Sequence, residues 1–145
     1  MDTAPTISTS TPNATPLSRS ALRVATIGAL AATVANAALW AAGRAADVDF
    51  LVTPLTGDPD TQVGVVAVVL TTLLTFAVGW AVLALAARRS RRWMRAVMIA
   101  AAVFAVLSAT GPLSAAHDTA TGAVLAAMHL VTGAAFVATA ARVRA

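Results

Sequence analysis

The chain has 145 residues, of which 59% are hydrophobic and 11% are charged, with a net charge of +4. Soluble globular domains contain about 25% charged residues, so the composition excludes that class and favours one compact membrane domain. The absence of cysteine excludes disulfides, thiol redox chemistry, Fe–S clusters and Cys-ligated zinc. In a soluble protein an excess of basic residues would suggest binding to nucleic acid. Here membrane orientation explains the arginines, so no nucleic-acid partner is expected.

Residues 1–18 are rich in Thr, Ser and Pro and contain little apolar bulk. Such a segment cannot bury enough surface to offset its ordering entropy, so we predict a disordered cytoplasmic tail. The remainder, residues 19–145, is predicted to be a four-helix transmembrane domain. The predicted fold class is therefore all-α: a polytopic membrane four-helix bundle with a disordered N-terminal tail.

Four apolar segments are each close to the ~20 residues that a membrane-spanning helix needs. The predicted spans are 21–42, 63–87, 94–113 and 119–141. Nine of the ten basic residues fall on one side of these spans: Arg19, Arg23, Arg88, Arg89, Arg91, Arg92, Arg95, Arg142 and Arg144. Arginine near membrane spans stays cytoplasmic, which predicts a multi-pass protein of the bacterial plasma membrane with both termini inside.

The first span allows a second interpretation, a cleaved signal peptide. Arg19 and Arg23 would form its basic region, Val24 to Val34 its apolar core, and Ala35-Asn36-Ala37 an A-x-A cleavage site. Apolar character continues past that site to Ala42, which favours a retained helix. Both interpretations stay open on the sequence alone.

The segment from Arg44 to Gln62 is the longest loop, with several Asp residues interrupted by Pro and Gly. Its Phe50-Leu51-Val52 run is compatible with a short strand or with an interfacial turn. Later in the chain, Gly111-Pro112 is expected to break or end the third helix, because proline lacks the amide donor.

The fourth helix begins at Asp118-Thr119, a pair typical of helix N-caps. Two interpretations of the neighbouring His117 are open. It orients Asp118 and binds a divalent cation weakly with it, or it is solvated while Asp118 caps the helix. The second is favoured, and no metal site is predicted.

Polar side chains inside a membrane are candidate functional sites. The predicted spans offer a cluster in their outer half: Asn36, Thr71, Thr72, Thr75, Ser108 and His129. His129 lies on a stripe of small residues, which predicts that it faces the bundle interior and bonds to the first or second helix. Three roles are open: a hydrogen bond that holds helices together, a polar pocket that opens outward, or a proton or metal site.

Five arginines separate the second span from the third: Arg88, Arg89, Arg91, Arg92 and Arg95. They are candidate contacts for anionic lipid headgroups, although orientation of the chain accounts for them equally well. Membrane lipids are therefore expected partners, and a second copy or another membrane protein is an open alternative.

Several functional classes are excluded or disfavoured. Small multidrug-resistance transporters have four spans but depend on an intramembrane Glu, which this chain lacks. His117 and His129 are twelve residues apart, about 18 Å along one helix, too far to ligate one haem iron. Since no nucleophile–base pair or metal constellation is visible, neither enzymatic activity nor a cofactor is predicted.

Two segments carry a resemblance: Ala-Ala-Leu-Trp-Ala-Ala-Gly-Arg-Ala-Ala-Asp-Val-Asp at 37–49 and His-Leu-Val-Thr-Gly-Ala-Ala at 129–135. The chain after Ser18 resembles a family of small, uncharacterised four-helix membrane proteins of high-GC bacteria. This resemblance implies a fold and no mechanism. The predicted function is a structural or accessory membrane component. The alternative is a small transporter, or a lipid or small-molecule carrier, that uses the outer-half polar pocket around His129.

Overall fold

A computed structural model describes residues 19–54, 56 and 59–144. The helices are α1 (Arg19–Ala45), α2 (Val65–Arg89), α3 (Arg91–Ser108), α4 (Thr110–Ala115) and α5 (Thr119–Arg144), and the strands are β1 (Leu51–Val52) and β2 (Thr61–Gln62). The tail predicted for 1–18 lies outside the described residues. Within them, α1 runs unbroken through the A-x-A sequence at 35–37.

The long helices form a four-sided bundle. Helix α1 packs against α2 and α5, and α3 packs against the same two helices, so α1 and α3 occupy opposite corners. Four helices are long and apolar enough to cross a membrane, with α3 and α4 together forming the third. The prediction of an all-α membrane four-helix bundle is confirmed.

The bundle interior combines aromatic rings with small residues. Phe76 and Phe136 meet edge to face, with ring centroids 5.6 Å apart and an interplanar angle of 76°. Helices α1 and α5 approach so closely that a Cβ atom added at Gly28 would overlap the Thr139 side chain. Small residues at such crossings let two backbones approach closely and gain van der Waals contact.

Large aliphatic side chains cover the outside of the bundle. Ile27 is 64% exposed, Val34 is 68% exposed and Leu74 is 65% exposed. An apolar surface of this extent is unfavourable in water, but it matches the hydrocarbon of a lipid bilayer, where every backbone polar group must be satisfied within the helices.

The third span differs in detail from its predicted range, 94–113. It begins at Arg91, where the Ser90 hydroxyl accepts a hydrogen bond from the Trp93 amide at 3.3 Å. It is interrupted at Ala109, between α3 and α4. Pro112 explains the interruption, because it has no amide hydrogen to donate to the Ser108 carbonyl, yet proline is tolerated in the first turn of α4.

One end of the bundle carries a small sheet, which we call the hairpin cap (residues 50–53, 61–63 and 115–117). Strand β1 pairs antiparallel with β2, with Leu51 opposite Gln62. On its other edge, the Thr53 amide donates to the Ala115 carbonyl at 2.9 Å, and the His117 amide donates to the Leu51 carbonyl at 3.2 Å. Of the two alternatives left open by the sequence, a strand is therefore correct at 51–52.

Candidate functional site

A buried polar junction joins three helices of the bundle. The Asn36 side-chain amide nitrogen on α1 donates to the Thr72 hydroxyl on α2 at 3.0 Å and to the Thr132 hydroxyl on α5 at 2.8 Å. Each threonine hydroxyl donates in turn to a carbonyl of its own helix, Val68 at 2.7 Å and Met128 at 2.9 Å. Because both hydroxyl hydrogens are used this way, the threonine oxygens accept, and this orients the Asn36 amide.

The polar junction (Asn36, Thr72 and Thr132) is closed to its surroundings. Asn36 is 1% exposed and Thr72 is 5% exposed. The Asn36 Oδ1 atom is buried and has no hydrogen-bond partner among the described residues. The three side chains contain no group that titrates near neutral pH and no activated nucleophile, so their chemistry is that of interhelical hydrogen bonds.

Only two members of the predicted polar cluster, Asn36 and Thr72, come together. Thr71 and Thr75 are exposed, and Ser108 donates to the Ala105 carbonyl of its own helix. Successive helical residues are rotated by about 100°, so Thr71 and Thr75 lie about 100° and about 60° to one side of Thr72, toward the surface of α2. The prediction of one six-residue cluster is wrong.

The prediction that the His129 side chain faces the bundle interior is also wrong, because it is exposed, although its stripe is packed, with Gly122 and Ala126 buried. Its Nδ1 atom lies 2.8 Å from the Leu125 carbonyl one turn earlier in the same helix. A carbonyl can only accept, so Nδ1 is the donor in this contact. No bond joins this imidazole to another described helix.

A second packed stripe of α5, beside the stripe of small residues, is formed by larger apolar residues and Thr132. Leu125, Met128 and Phe136 are buried and recur with Thr132 at spacings of three and four. Sequence reasoning missed Thr132 because it followed the small residues of the neighbouring stripe and not the large apolar side chains. The spacing of the large side chains would have identified it.

A second polar cluster lies on the exposed surface of the hairpin cap. The His117 Nε2 atom is 3.2 Å from Asp60 Oδ2, and the Thr53 hydroxyl donates to Asp60 Oδ1 at 2.8 Å. The hydrogen bonds from Thr53 and then from His117 lower the pKa of Asp60 below its usual value of 3.8. Both side chains therefore favour the ionised carboxylate.

This cluster does not have the geometry of a nucleophile–base–acid triad. The Thr53 hydroxyl is 3.0 Å from the same imidazole nitrogen that contacts Asp60, and the opposite ring nitrogen is not used. In a catalytic triad the acid and the nucleophile bond to different ring nitrogens. Across the described part of the chain, no three His, Cys, Asp or Glu side chains are placed to hold a metal ion.

Asp118 caps α5 as predicted. Its carboxylate accepts from the Thr121 amide at 2.8 Å and from the Thr121 hydroxyl at 2.6 Å. The Thr121 side-chain bond, followed by the backbone bond, lowers the pKa of Asp118. The same hydroxyl accepts from the Phe50 amide at 3.1 Å, so the cap of α5 is linked to the hairpin cap.

Phe50 fixes the hairpin cap to the bundle. It is fully buried, it adopts a left-handed backbone conformation with φ of 56°, and its ring stacks on Trp40 with centroids 6.0 Å apart. A Cβ atom added at Gly43 would lie 2.6 Å from the ring, so only glycine fits beneath it. Trp40 also donates to the Val63 carbonyl at 2.9 Å. These contacts give the 37–49 motif a structural role.

The opposite end of the bundle, which we call the arginine end, is basic. The side chains of Arg88, Arg89, Arg91, Arg92 and Arg95 are all exposed. Among residues 19–54, 56 and 59–144 the one ion pair is His117–Asp60, which lies at the other end of the bundle. The arginines thus have no carboxylate partner there, and contact with lipid headgroups stays a prediction.

Fold and site together define a small helical protein with four membrane-length helices, a closed polar junction and a hairpin cap at one end. The chain belongs to DUF6069, a family of unknown function, whose sequence profile matches residues 16–145. The match includes every residue that the structure describes. Comparisons with curated proteins and with solved structures find no match.

Proposed function

We propose that this protein is an accessory component of the bacterial plasma membrane, oriented with the arginine end in the cytoplasm and the hairpin cap outside. The orientation is supported by the arginine distribution, since basic residues beside membrane spans are retained in the cytoplasm. An accessory component acts by binding another membrane protein, not by transforming a substrate.

The observation that carries this proposal is the exposed imidazole of His129. Counting from Thr119 at about 1.5 Å per residue, His129 lies about 15 Å below the start of α5, near the middle of the bilayer. Polar side chains at that depth almost always face protein or a water-filled cavity, because hydrocarbon cannot hydrogen-bond to them. A helix of a partner protein that donates to His129 Nε2 would remove this cost.

A carrier function has less support. The Asn36 side chain is 1% exposed, so the polar junction offers no open polar site, and the His129 side chain is exposed. A carrier of polar solutes needs a polar site that opens to at least one side of the membrane. The described bundle interior offers apolar packing around the junction instead.

Site-specific photo-crosslinking in the membrane tests the accessory function. A benzophenone amino acid at Leu130, beside His129, is compared with the same probe at Val82 on α2, because both side chains are 45% exposed. We expect a discrete crosslinked protein at Leu130 that is lost with His129→Leu, and none at Val82. Crosslinks to lipid alone at both positions would overturn the proposal.

A cysteine placed at Leu130 separates a second copy from a different protein, because the chain has no other cysteine. We expect this variant to stay monomeric under oxidising conditions. A disulfide-linked dimer that Val82→Cys does not form would instead assign the His129 face to self-association and would contradict a separate partner.

A further inference from the structure

A lipid-facing groove runs between α1 and α5 toward the arginine end of the bundle. It has a volume of about 230 Å³ and is lined by Val24, Ile27, Gly28, Ala31, Ala135, Ala138, Thr139 and Arg142. Apart from Arg142 its walls are apolar or small. From Ala135 to Arg142 the groove follows α5 for about 10 Å, at a rise of about 1.5 Å per residue.

The groove exists because small side chains meet where the two helices cross. Gly28 faces Thr139 so closely that a Cβ atom there would overlap the threonine. Ala31 and Ala138 are exposed beside this contact and leave the space open. The Thr139 hydroxyl donates to the Ala135 carbonyl at 2.6 Å, so it offers no free donor to the groove.

The end of the groove that lies toward the arginine end is positively charged. Arg142 is exposed and lines it directly. Arg23 lies four residues before Ile27, on the same face of α1 and nearer to the arginine end. Neither guanidinium forms an ion pair with a described carboxylate, since the Asp residues that the structure describes lie at the hairpin-cap end.

We propose that this groove is a binding site for an anionic phospholipid. One acyl chain lies along the small residues between Ile27 and Ala138, and the headgroup phosphate is held by Arg142 with Arg23 beside it. An apolar channel that ends in unpaired guanidinium groups matches a molecule with an apolar chain and an anionic phosphate. The site is separate from the arginine cluster at 88–95 and independent of the accessory function.

Native mass spectrometry of the full chain tests the site. The detergent-purified protein is mixed with equal amounts of phosphatidylglycerol and phosphatidylcholine that carry identical acyl chains. We expect retention of a single phosphatidylglycerol. Arg142→Gln should lower its apparent affinity about fivefold, the effect of losing roughly 1 kcal/mol for one arginine near the headgroups. Arg44→Gln, which removes the same charge from an exposed position at the hairpin-cap end, is the control and should leave the retained lipid unchanged.

A second pair of variants tests the position of the acyl chain. Ala138→Phe fills the groove from an exposed position, and Ala77→Phe adds the same ring at an exposed position of α2. We expect loss of retained lipid only in the first, with thermal unfolding confirming that both variants are folded. Equal losses of lipid in Arg142→Gln and Arg44→Gln, or full retention of lipid in Ala138→Phe, would overturn the proposal. A mass of two protein chains that disappears in Ala138→Phe would show that a second copy of the protein, and not a lipid, occupies the groove.

Discussion

The Asn36 amide nitrogen lies 2.8 Å from the Thr132 hydroxyl, although the two residues are 96 positions apart in the chain. This bond closes α1 against α5, and the companion bond to Thr72 closes α1 against α2. A single side chain in the first span therefore fixes the register of three helices. Its contribution to folding can be measured one hydrogen bond at a time.

Thr132→Val removes one of these bonds and Asn36→Ala removes both. Interhelical hydrogen bonds in membranes are worth about 0.6 kcal/mol each, so we expect losses of about 0.6 and about 1 kcal/mol in the free energy of unfolding. Denaturation in mixed micelles measures them. Thr75→Val, on the exposed face of α2, is the control and should have no effect. An equal loss in the control would contradict the role of the junction.

Gly28 and Gly111 should respond in opposite directions to a larger side chain. A side chain at Gly28 would collide with Thr139, whereas nothing lies within 4 Å of a Cβ atom at Gly111. Gly28→Leu is expected to destabilise the bundle by about 1–3 kcal/mol through overpacking. Gly111→Ala is expected to stabilise it by about 0.5 kcal/mol, because alanine loses less backbone entropy in a helix. Thermal melting of the two variants in the same detergent is the measurement.

Phe50→Ala should be among the most destabilising substitutions in the hairpin cap, because the ring is fully buried against Trp40. Removing a buried phenylalanine side chain costs about 3–5 kcal/mol. Phe104→Ala is the matched control, since Phe104 is 64% exposed on the lipid-facing side of α3. Faster hydrogen exchange at the amides of Thr53 and Val63 in Phe50→Ala alone would locate the damage in the cap.

The hairpin cap should loosen in acid. The folded-state pKa values of Asp60 and Asp118 are lowered from 3.8, so both carboxylates contribute stability above that pH and lose it as the pH falls further, through their folded values. We expect hydrogen exchange at the His117 and Thr121 amides to accelerate below pH 3.8, relative to amides in the middle of α2. Asp60→Asn combined with Asp118→Asn should abolish this pH dependence. If the pH dependence persists in the double variant, another titratable group causes it.

Span number, helix type and the Asp118 cap were predictable because they depend on local chemistry. Apolar length sets the number of spans, and a carboxylate three residues before a free amide sets a cap. The inward faces of the helices were not predictable in the same way. In α5 the stripe of small residues is packed, as its spacing suggested, but the longer His129 side chain on it is exposed, and the neighbouring packed stripe through Thr132 was missed.

The hairpin cap was only partly predictable for a related reason. Phe50 and Leu51 suggested a strand, but the partners of β1 come from β2 and from Ala116, which is 64 residues beyond Val52. No local pattern encodes such a pairing. Likewise, Gly43 follows Trp40 in a run of alanines, and its necessity appears only when the Phe50 ring is placed against it.

The pairing of β1 with the segment at 115–117 also orders the biogenesis of the protein. That segment lies between the third and fourth spans. Strand β1 therefore lacks one of its two hydrogen-bonding neighbours until the end of α4 has reached the same side of the membrane. An insertion intermediate that holds only the first two spans leaves the 46–64 loop open to a protease added from that side. Acquired protease resistance of this loop would then report that the third span has crossed.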